Sequence, residues 1–208
     1  MIYTQENFTT LPNVSAETVT LLSTYDGLLQ QWQKAVNLIS PKTIDTLWHR
    51  HFADSVGLYN AIPPQVDTVA DMGSGGGFPA LICGIMAKTN GRKMPITLIE
   101  SDTKKSLFLR ECIRVMELDC VVINKRIEHC TGDEYGLITA RALAPLCDLL
   151  QMAEILKGKR CLFLKGERWA EELETARTVW AIDSTAIPSL TEEKSKILDI
   201  KNYTRIGI

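Results

Sequence analysis

The chain has 208 residues, of which 45% are hydrophobic and 23% charged, with a formal net charge of −2. That composition belongs to an ordinary globular protein with chain enough for one well-filled domain and a small appendage. The near-neutral charge weighs against a tight, non-specific nucleic-acid binder, while leaving room for local basic patches. Residues 1–7 lack the basic and apolar regions of a signal peptide. No apolar run approaches the roughly 18 residues that a membrane-spanning helix needs, so the cytoplasm is the expected compartment. Cys83, Cys112, Cys120, Cys130, Cys147 and Cys161 show no C-x-x-C spacing and fall mostly in apolar runs. They read as reduced cysteines behaving as small hydrophobes.

Residues 1–65 read as a helical cap placed ahead of a core over 66–208. Ser15 supplies a helix N-cap, and Leu21, Leu22, Leu28, Leu29, Trp32, Val36 and Ile39 keep one apolar face until Pro41 interrupts it. A second helix carries Leu47, Trp48, Phe52, Val56, Leu58 and Tyr59 and stops at Pro63-Pro64. Trp32 and Trp48 are read as core of this cap. From Val66 the rhythm changes. Strands are predicted over 66–71, 96–100, 121–123, 137–139 and 160–165, with helices over 78–87, 102–116 and 145–156. The tail from 185 to 208 has room for two more strands. Alternation of this kind predicts an α/β fold: one compact unit with a mostly parallel, twisted sheet of about seven strands and helices on both faces.

The chemistry concentrates in Asp71-Met72-Gly73-Ser74-Gly75-Gly76-Gly77-Phe78-Pro79, directly after the first strand of the core and at the start of a helix. Glycines there permit positive φ and let a ligand approach the backbone, at the carboxyl end of a strand where open α/β sheets bind ligands. Gly75-x-Gly77-x-x-Ala80 satisfies the dinucleotide pattern, with Glu100 about 20 residues further on at the end of the second strand. NAD is therefore one candidate cofactor. Two features favour S-adenosylmethionine. Phe78-Pro79 puts bulk at the helix start and removes an amide donor that a pyrophosphate would need. Asp71 suits the amino and sulfonium groups of S-adenosylmethionine and would repel a phosphate, while Glu100 can accept hydrogen bonds from ribose hydroxyls of either cofactor. No Gly-Lys-Ser/Thr follows the glycines, so a P-loop is excluded. His49 and His51, two apart on a helix, cannot pair as ligands, and no metal site is expected.

Further segments match one family through most of the chain, from Trp32 to about Leu173: Trp32 with Asn37-Leu38, Arg50-His51-Phe52 with Asp54-Ser55, Lys104-Lys105 to Leu109-Arg110-Glu111, Arg126-Ile127-Glu128, Arg141-Ala142 and Leu164-Lys165-Gly166. With the glycine motif, these make the chain resemble the RsmG family of bacterial small-subunit ribosomal RNA guanine-N7 methyltransferases, also called glucose-inhibited division protein B. The resemblance implies a Rossmann-like class I methyltransferase that uses S-adenosyl-L-methionine to methylate N7 of a guanine in 16S ribosomal RNA. It implies a cofactor lined by Gly73 and Phe78, with Ser74 and Gly75 in the same loop, Ile127-Glu128 flanking the adenine, and Arg141 at the mouth of the site. Ala80, Ala140 and Leu143 depart from residues common in the family. Guanine N7 presents a lone pair, so no general base is expected and catalysis rests on alignment. Arg141 is a candidate for positioning guanine or a phosphate. Arg50, His51 and Lys165 are candidate RNA contacts, and Lys34, Lys42, Lys104, Lys105, Arg110, Lys125, Arg126 and Arg168 could complete a basic rim. The expected partner is small-subunit ribosomal RNA or a ribosomal particle, with no membrane and the protein a monomer.

Overall fold

Ser15 begins the first helix, α1 (Ala16–Gln33), through a reciprocal capping box: its hydroxyl accepts from the Thr18 amide at 3.1 Å, and the Thr18 hydroxyl accepts from the Ser15 amide at 3.2 Å. In this computed structural model, which describes residues 2–130 and 132–207, α1 stops at Gln33 and does not continue to Ile39. The Gln33 side chain is the reason. Its Oε1 accepts from the amides of Leu38 and Ile39 (2.9 and 3.1 Å) and its Nε2 donates to the Ile39 carbonyl at 2.8 Å, which turns residues 37–39 into a loop. The second predicted helix also divides, into a π-helical turn over Trp48–Ala53 and α2 over Asp54–Ala61. Such turns often occur at functional sites.

The seven strands are β1 (Val69–Met72), β2 (Ile96–Ile99), β3 (Cys120–Ile123), β4 (Leu137–Arg141), β5 (Cys161–Lys165), β6 (Trp180–Pro188) and β7 (Lys196–Arg205). They form one sheet in the order β3-β2-β1-β4-β5-β7-β6. The first five are parallel, and β7 runs antiparallel between β5 and β6. β6 starts at Trp180, earlier than the tail predicted from 185. Helices α3 (Ala80–Thr89), α4 (Thr103–Met116) and α5 (Leu146–Ile155) fall where predicted to within two residues. A helix α6 over Trp169–Arg177 had no predicted counterpart; only Leu173 and Ala176 in it are buried, which gives almost no apolar signal.

The sheet divides the interior into two apolar layers. On one face Leu22, Tyr25 and Leu29 of α1 and Phe52, Val56 and Leu58 pack with Leu81, Ile82 and Ile85 of α3 and Phe108 of α4. The N-terminal helices therefore share a core with the sheet's own helices. Wedged between them and the strands, α3 is buried on all sides from Ala80 to Ala87. The other face packs Leu149, Leu150 and Leu173 against Ala70, Ile138 and Phe163. Cys83, Cys112 and Cys161 are buried and Cys120, Cys130 and Cys147 partly so; all six are free. Trp48 packs on Phe8 and Phe52 and donates to Asp26 at 2.9 Å, and Trp32 lies against Phe108, so both belong to the core of the helical layer. β1 is the switch point: β2 lies on one side of it and β4 on the other, which opens a crevice at their carboxyl ends.

Candidate cofactor and substrate site

The crevice contains a cavity of about 510 Å³ whose walls include Gly73, Ser74, Gly75, Phe78, Glu100, His51 and Arg141. Seven residues singled out from the sequence are thereby brought together from four separate stretches of chain. The loop after β1 depends on glycine for shape. Gly73 has φ +63°, and a Cβ there would lie 2.6 Å from Leu143 Cδ1. Gly77 has φ +95°, and a Cβ would meet Leu81 and the Tyr25 hydroxyl. Tyr25 in turn donates to the Gly76 carbonyl, tying α1 to the loop.

The loop turns its amides inward. Ser74 N donates to Ile99 O (3.1 Å), Gly77 N to Ser74 O (2.6 Å) and Gly75 N to Glu100 Oε2 (2.8 Å). Glu100 Oε1 accepts from Asp102 N at 2.7 Å, so this carboxylate joins the glycine loop to the start of α4 while its remaining lone pairs face the cavity. An anion-binding loop needs free amides and no carboxylate beside it. Here three of the amides are already taken and Glu100 stands beside them. α3 begins only at Ala80, with Pro79 as its cap residue, which removes one more donor. The carboxylate beside the loop disfavours a pyrophosphate and offers an acceptor to hydroxyl and ammonium groups.

The structure places Asp71 beneath the loop rather than on the cavity wall. It is fully buried; Oδ1 accepts from the Thr139 hydroxyl at 2.7 Å, and Oδ2 takes no hydrogen bond among the described residues. Burial pushes its carboxyl up to about 7, against the hydrogen bond from Thr139 and the nearby Ser74 hydroxyl and with Glu100 adding to the rise. Ile127 is buried in the opposite core layer and Glu128 is exposed; neither lines the cavity.

Arg141 closes the cavity at the end of β4. Its guanidinium lies 5.9 Å from the Phe78 ring centroid, Nη2 donates to the Arg50 carbonyl at 2.9 Å, and Nη1 is buried without a partner among the described residues. Burial pulls this group below the ordinary arginine range, partly offset by the nearby Asp54 carboxylate. The next residue, Ala142, has φ +51°, a conformation non-glycine residues seldom adopt outside tightly held sites. His51 packs on Phe78 at 4.9 Å between ring centroids and shares a 2.9 Å hydrogen bond with Thr43, whereas His49 accepts from the Tyr3 amide, so the two histidines do serve different partners. Among the described residues no group of three or more His, Cys, Asp and Glu side chains is arranged to hold a metal ion.

Burial first, then Arg141 and Arg50, drop His51 to about 3. A histidine whose folded value is depressed stabilises the fold above its unfolded value, near 6.5, and this stability is lost as pH falls towards the folded value. Between pH 6.5 and 3 the wild-type protein is expected to lose up to about 1.4 kcal/mol per pH unit through this residue. His51→Gln, uncharged throughout, is expected to flatten that slope in urea titrations at pH 7, 6 and 5. An unchanged slope would show that His51 titrates as an exposed histidine.

The family model for rRNA small subunit methyltransferase G matches residues 18–199. The chain belongs to that family. Ribosomal RNA small subunit methyltransferase G of Dinoroseobacter shibae is 42% identical over 186 residues, covering 88% of this chain and 95% of the relative. The protein of that name from Gluconobacter oxydans is 42% identical over 198 residues, covering 94% and 100%. Among solved structures, the ribosomal protein L11 methylase of Lactobacillus delbrueckii superposes with a TM-score of 0.55 at 18% identity, covering 73% of this chain and 76% of that one. TYW2 of M. jannaschii, solved with AdoMet, gives 0.52 at 15% identity over 74% and 77%. At such identities these structures establish the Rossmann-like methyltransferase fold alone.

In this methyltransferase G family member, three residues predicted as substrate contacts occupy different settings. His51 lines the cofactor cavity. Arg50 is half exposed and pairs with Glu192 at 2.9 Å. Lys165 is 9% exposed, and its ammonium is held by the Ala144 carbonyl (3.0 Å) and Glu172 (2.6 Å). Glu172 also accepts from the amide of Leu146, the first residue of α5, at 2.8 Å. Lys165 thus fastens β5 to α5 and α6. Lys165→Ala is expected to cost about 3 kcal/mol in chemical denaturation, because it strands a largely buried carboxylate; a loss under about 1 kcal/mol would mean that the pair behaves as a surface one. Of the predicted basic rim, Lys34, Lys42, Lys104, Lys105, Arg110, Lys125 and Arg126 form no ion pair among the described residues, and Lys105 lines the cavity itself. Sequence reasoning missed Ile39, Ser40, Thr43 and Ser101 as cavity residues, since nothing in their type or spacing marks them.

Proposed function

We propose that the protein transfers the methyl group of S-adenosyl-L-methionine to N7 of a guanine in 16S ribosomal RNA. The observation that carries the cofactor assignment is the Gly73–Gly77 loop with its amides turned inward beside Glu100. Family membership supports the ribosomal RNA substrate. Gly73, Ser74, Gly75 and Phe78 would form the floor and wall, and Glu100 would accept from the ribose hydroxyls. By the family resemblance, Ile127 and Glu128, which do not line this cavity, would flank the adenine where it extends beyond the cavity wall. When bound, S-adenosylmethionine supplies an electrophilic methyl group, which N7 takes with its lone pair while the carbon–sulfur pair stays on sulfur.

No proton leaves guanine in that reaction, and the residues agree with this. His51 is too weak a base to collect one at neutral pH, and Asp71 is sealed under the loop. What the protein contributes is alignment, through Arg141 and the rigid β4 end, and carboxylates that favour the cationic product ring. Arg50 and the free lysines around the crevice would meet RNA phosphates, and the basic residues there act locally on a chain of near-zero net charge. Such an enzyme works in the cytoplasm, where ribosomal RNA is processed.

Calorimetry with adenosylhomocysteine and NAD tests the cofactor. Binding of adenosylhomocysteine with none of NAD is expected; the reverse result overturns the reading. Incubation with methyl-labelled S-adenosylmethionine and small-subunit ribosomal RNA is expected to yield labelled 7-methylguanosine on nucleoside analysis.

A further inference from the structure

Across Arg141 from the cofactor cavity lies a second one of about 450 Å³, over the carboxyl ends of β4 and β5. The two share Arg141 and Ala142 as a common wall. We propose that this second cavity receives the target guanine, with Asp54 reading its Watson–Crick edge and Arg141 Nη1 its O6. The proposal rests on the reading of the protein as a guanine-N7 methyltransferase and names the residue that selects the base.

Charge decides the class of ligand. Arg50, Arg141 and Lys165 stand in the wall with Asp54, Glu167, Glu172 and Glu192, so carboxylates are at least as many as cations. A phosphate would meet net repulsion, whereas a neutral base carrying both donors and acceptors meets partners of each kind. A volume of this size has room for a purine base with its ribose. Lys165 is already committed to Glu172, Arg50 to Glu192 and Glu167 to Lys194. That leaves Asp54 and Arg141. Asp54 is buried; Oδ1 accepts from the Ser189 hydroxyl at 2.7 Å, while Oδ2 takes no hydrogen bond from the described residues. Arg141 lines both cavities, and its Nη1 is a buried donor without a partner among the described residues.

Guanine alone among the four bases offers adjacent donors, N1–H and the N2 amino group, to one carboxylate, together with an acceptor at O6. Adenine would turn the lone pair of N1 towards Asp54 and an amino group towards Arg141. With the donor edge on Asp54 and O6 on Arg141, N7, which neighbours O6, faces the shared wall and the cofactor cavity behind it. Methylation makes the ring cationic and N1–H more acidic, so the bond to Asp54 strengthens as the reaction proceeds.

The test uses small-subunit ribosomal RNA, free or assembled with its proteins, carrying guanosine or inosine at the position that the wild-type protein methylates. Inosine keeps N7, O6 and N1–H and lacks only the N2 amino group. Wild type is expected to prefer guanosine over inosine by about tenfold or more in kcat/KM. Asp54→Asn keeps an oxygen for Ser189 but presents an amide to the base. It is expected to lower kcat/KM on guanosine by roughly a hundredfold and bring the guanosine-to-inosine ratio close to one. Adenosylhomocysteine binding by Asp54→Asn, measured in parallel, reports whether the variant is folded. If it is not, Ser189→Ala, which leaves the carboxylate in place, must keep the wild-type ratio. An unchanged ratio in Asp54→Asn, or a lost ratio in Ser189→Ala, overturns the pocket assignment alone. A wild-type protein that binds adenosylhomocysteine yet places no methyl on guanine N7 overturns the underlying reading as well.

Discussion

Gly73→Asp is expected to weaken adenosylhomocysteine binding by at least about a hundredfold while the protein still folds. Three effects act together at this position. An aspartate must adopt φ +63°, which costs on the order of 1 kcal/mol. Its Cβ must displace Leu143, whose Cδ1 would be 2.6 Å away, and Leu143 is itself part of the cavity wall. Its carboxylate then projects into space that the ligand would occupy, beside Glu100. Leu143 is 37% exposed and free to swing aside, which is why the fold survives although the site does not. Calorimetry with adenosylhomocysteine, paired with a thermal melt, checks both halves. Binding within a few-fold of wild type would show that the ligand lies elsewhere than against this loop.

Arg141→Lys is expected to lower kcat/KM on ribosomal RNA by about a hundredfold, with a much smaller effect on adenosylhomocysteine affinity. Arginine is used here as a planar fork: Nη2 is fixed on the Arg50 carbonyl, the guanidinium approaches Phe78, and Nη1 is buried without a partner among the described residues. A lysine ammonium keeps the charge but cannot hold the backbone contact and present a second donor at once. Charge alone would make the substitution mild. A loss confined to adenosylhomocysteine affinity would place Arg141 among the cofactor contacts only.

Much of this site was legible in the sequence because its chemistry is local. The glycine loop, Glu100 at the end of the next strand and Arg141 at the end of the fourth each lie at a strand terminus, where side chains face the crevice. The five parallel strands were found because buried strands read as short apolar runs between turns. What was missed depends on contacts between distant segments. α1 ends at Gln33 because one side chain captures the backbone of residues 38 and 39, although the apolar spacing runs on. α6 shows little apolar face because it packs through Leu173 and Ala176 alone. Asp71, read as a partner for the cofactor's cationic groups, lies under the loop because Thr139, 68 positions later, takes its carboxylate. Lys165, a candidate RNA contact at a strand end, is held by Glu172 from a helix that the sequence does not reveal. Asp54 belongs to the Arg50–Ser55 motif of the resemblance but carries no role in the sequence, because only the fold brings it to Arg141 and the second cavity.

The most direct test is nucleoside analysis of small-subunit ribosomal RNA from a strain lacking this protein. One 7-methylguanosine is expected to disappear from that RNA, to return with the wild-type gene and to stay absent with Gly73→Asp. Unchanged 7-methylguanosine in the deletion strain would contradict guanine N7 of 16S ribosomal RNA as the substrate.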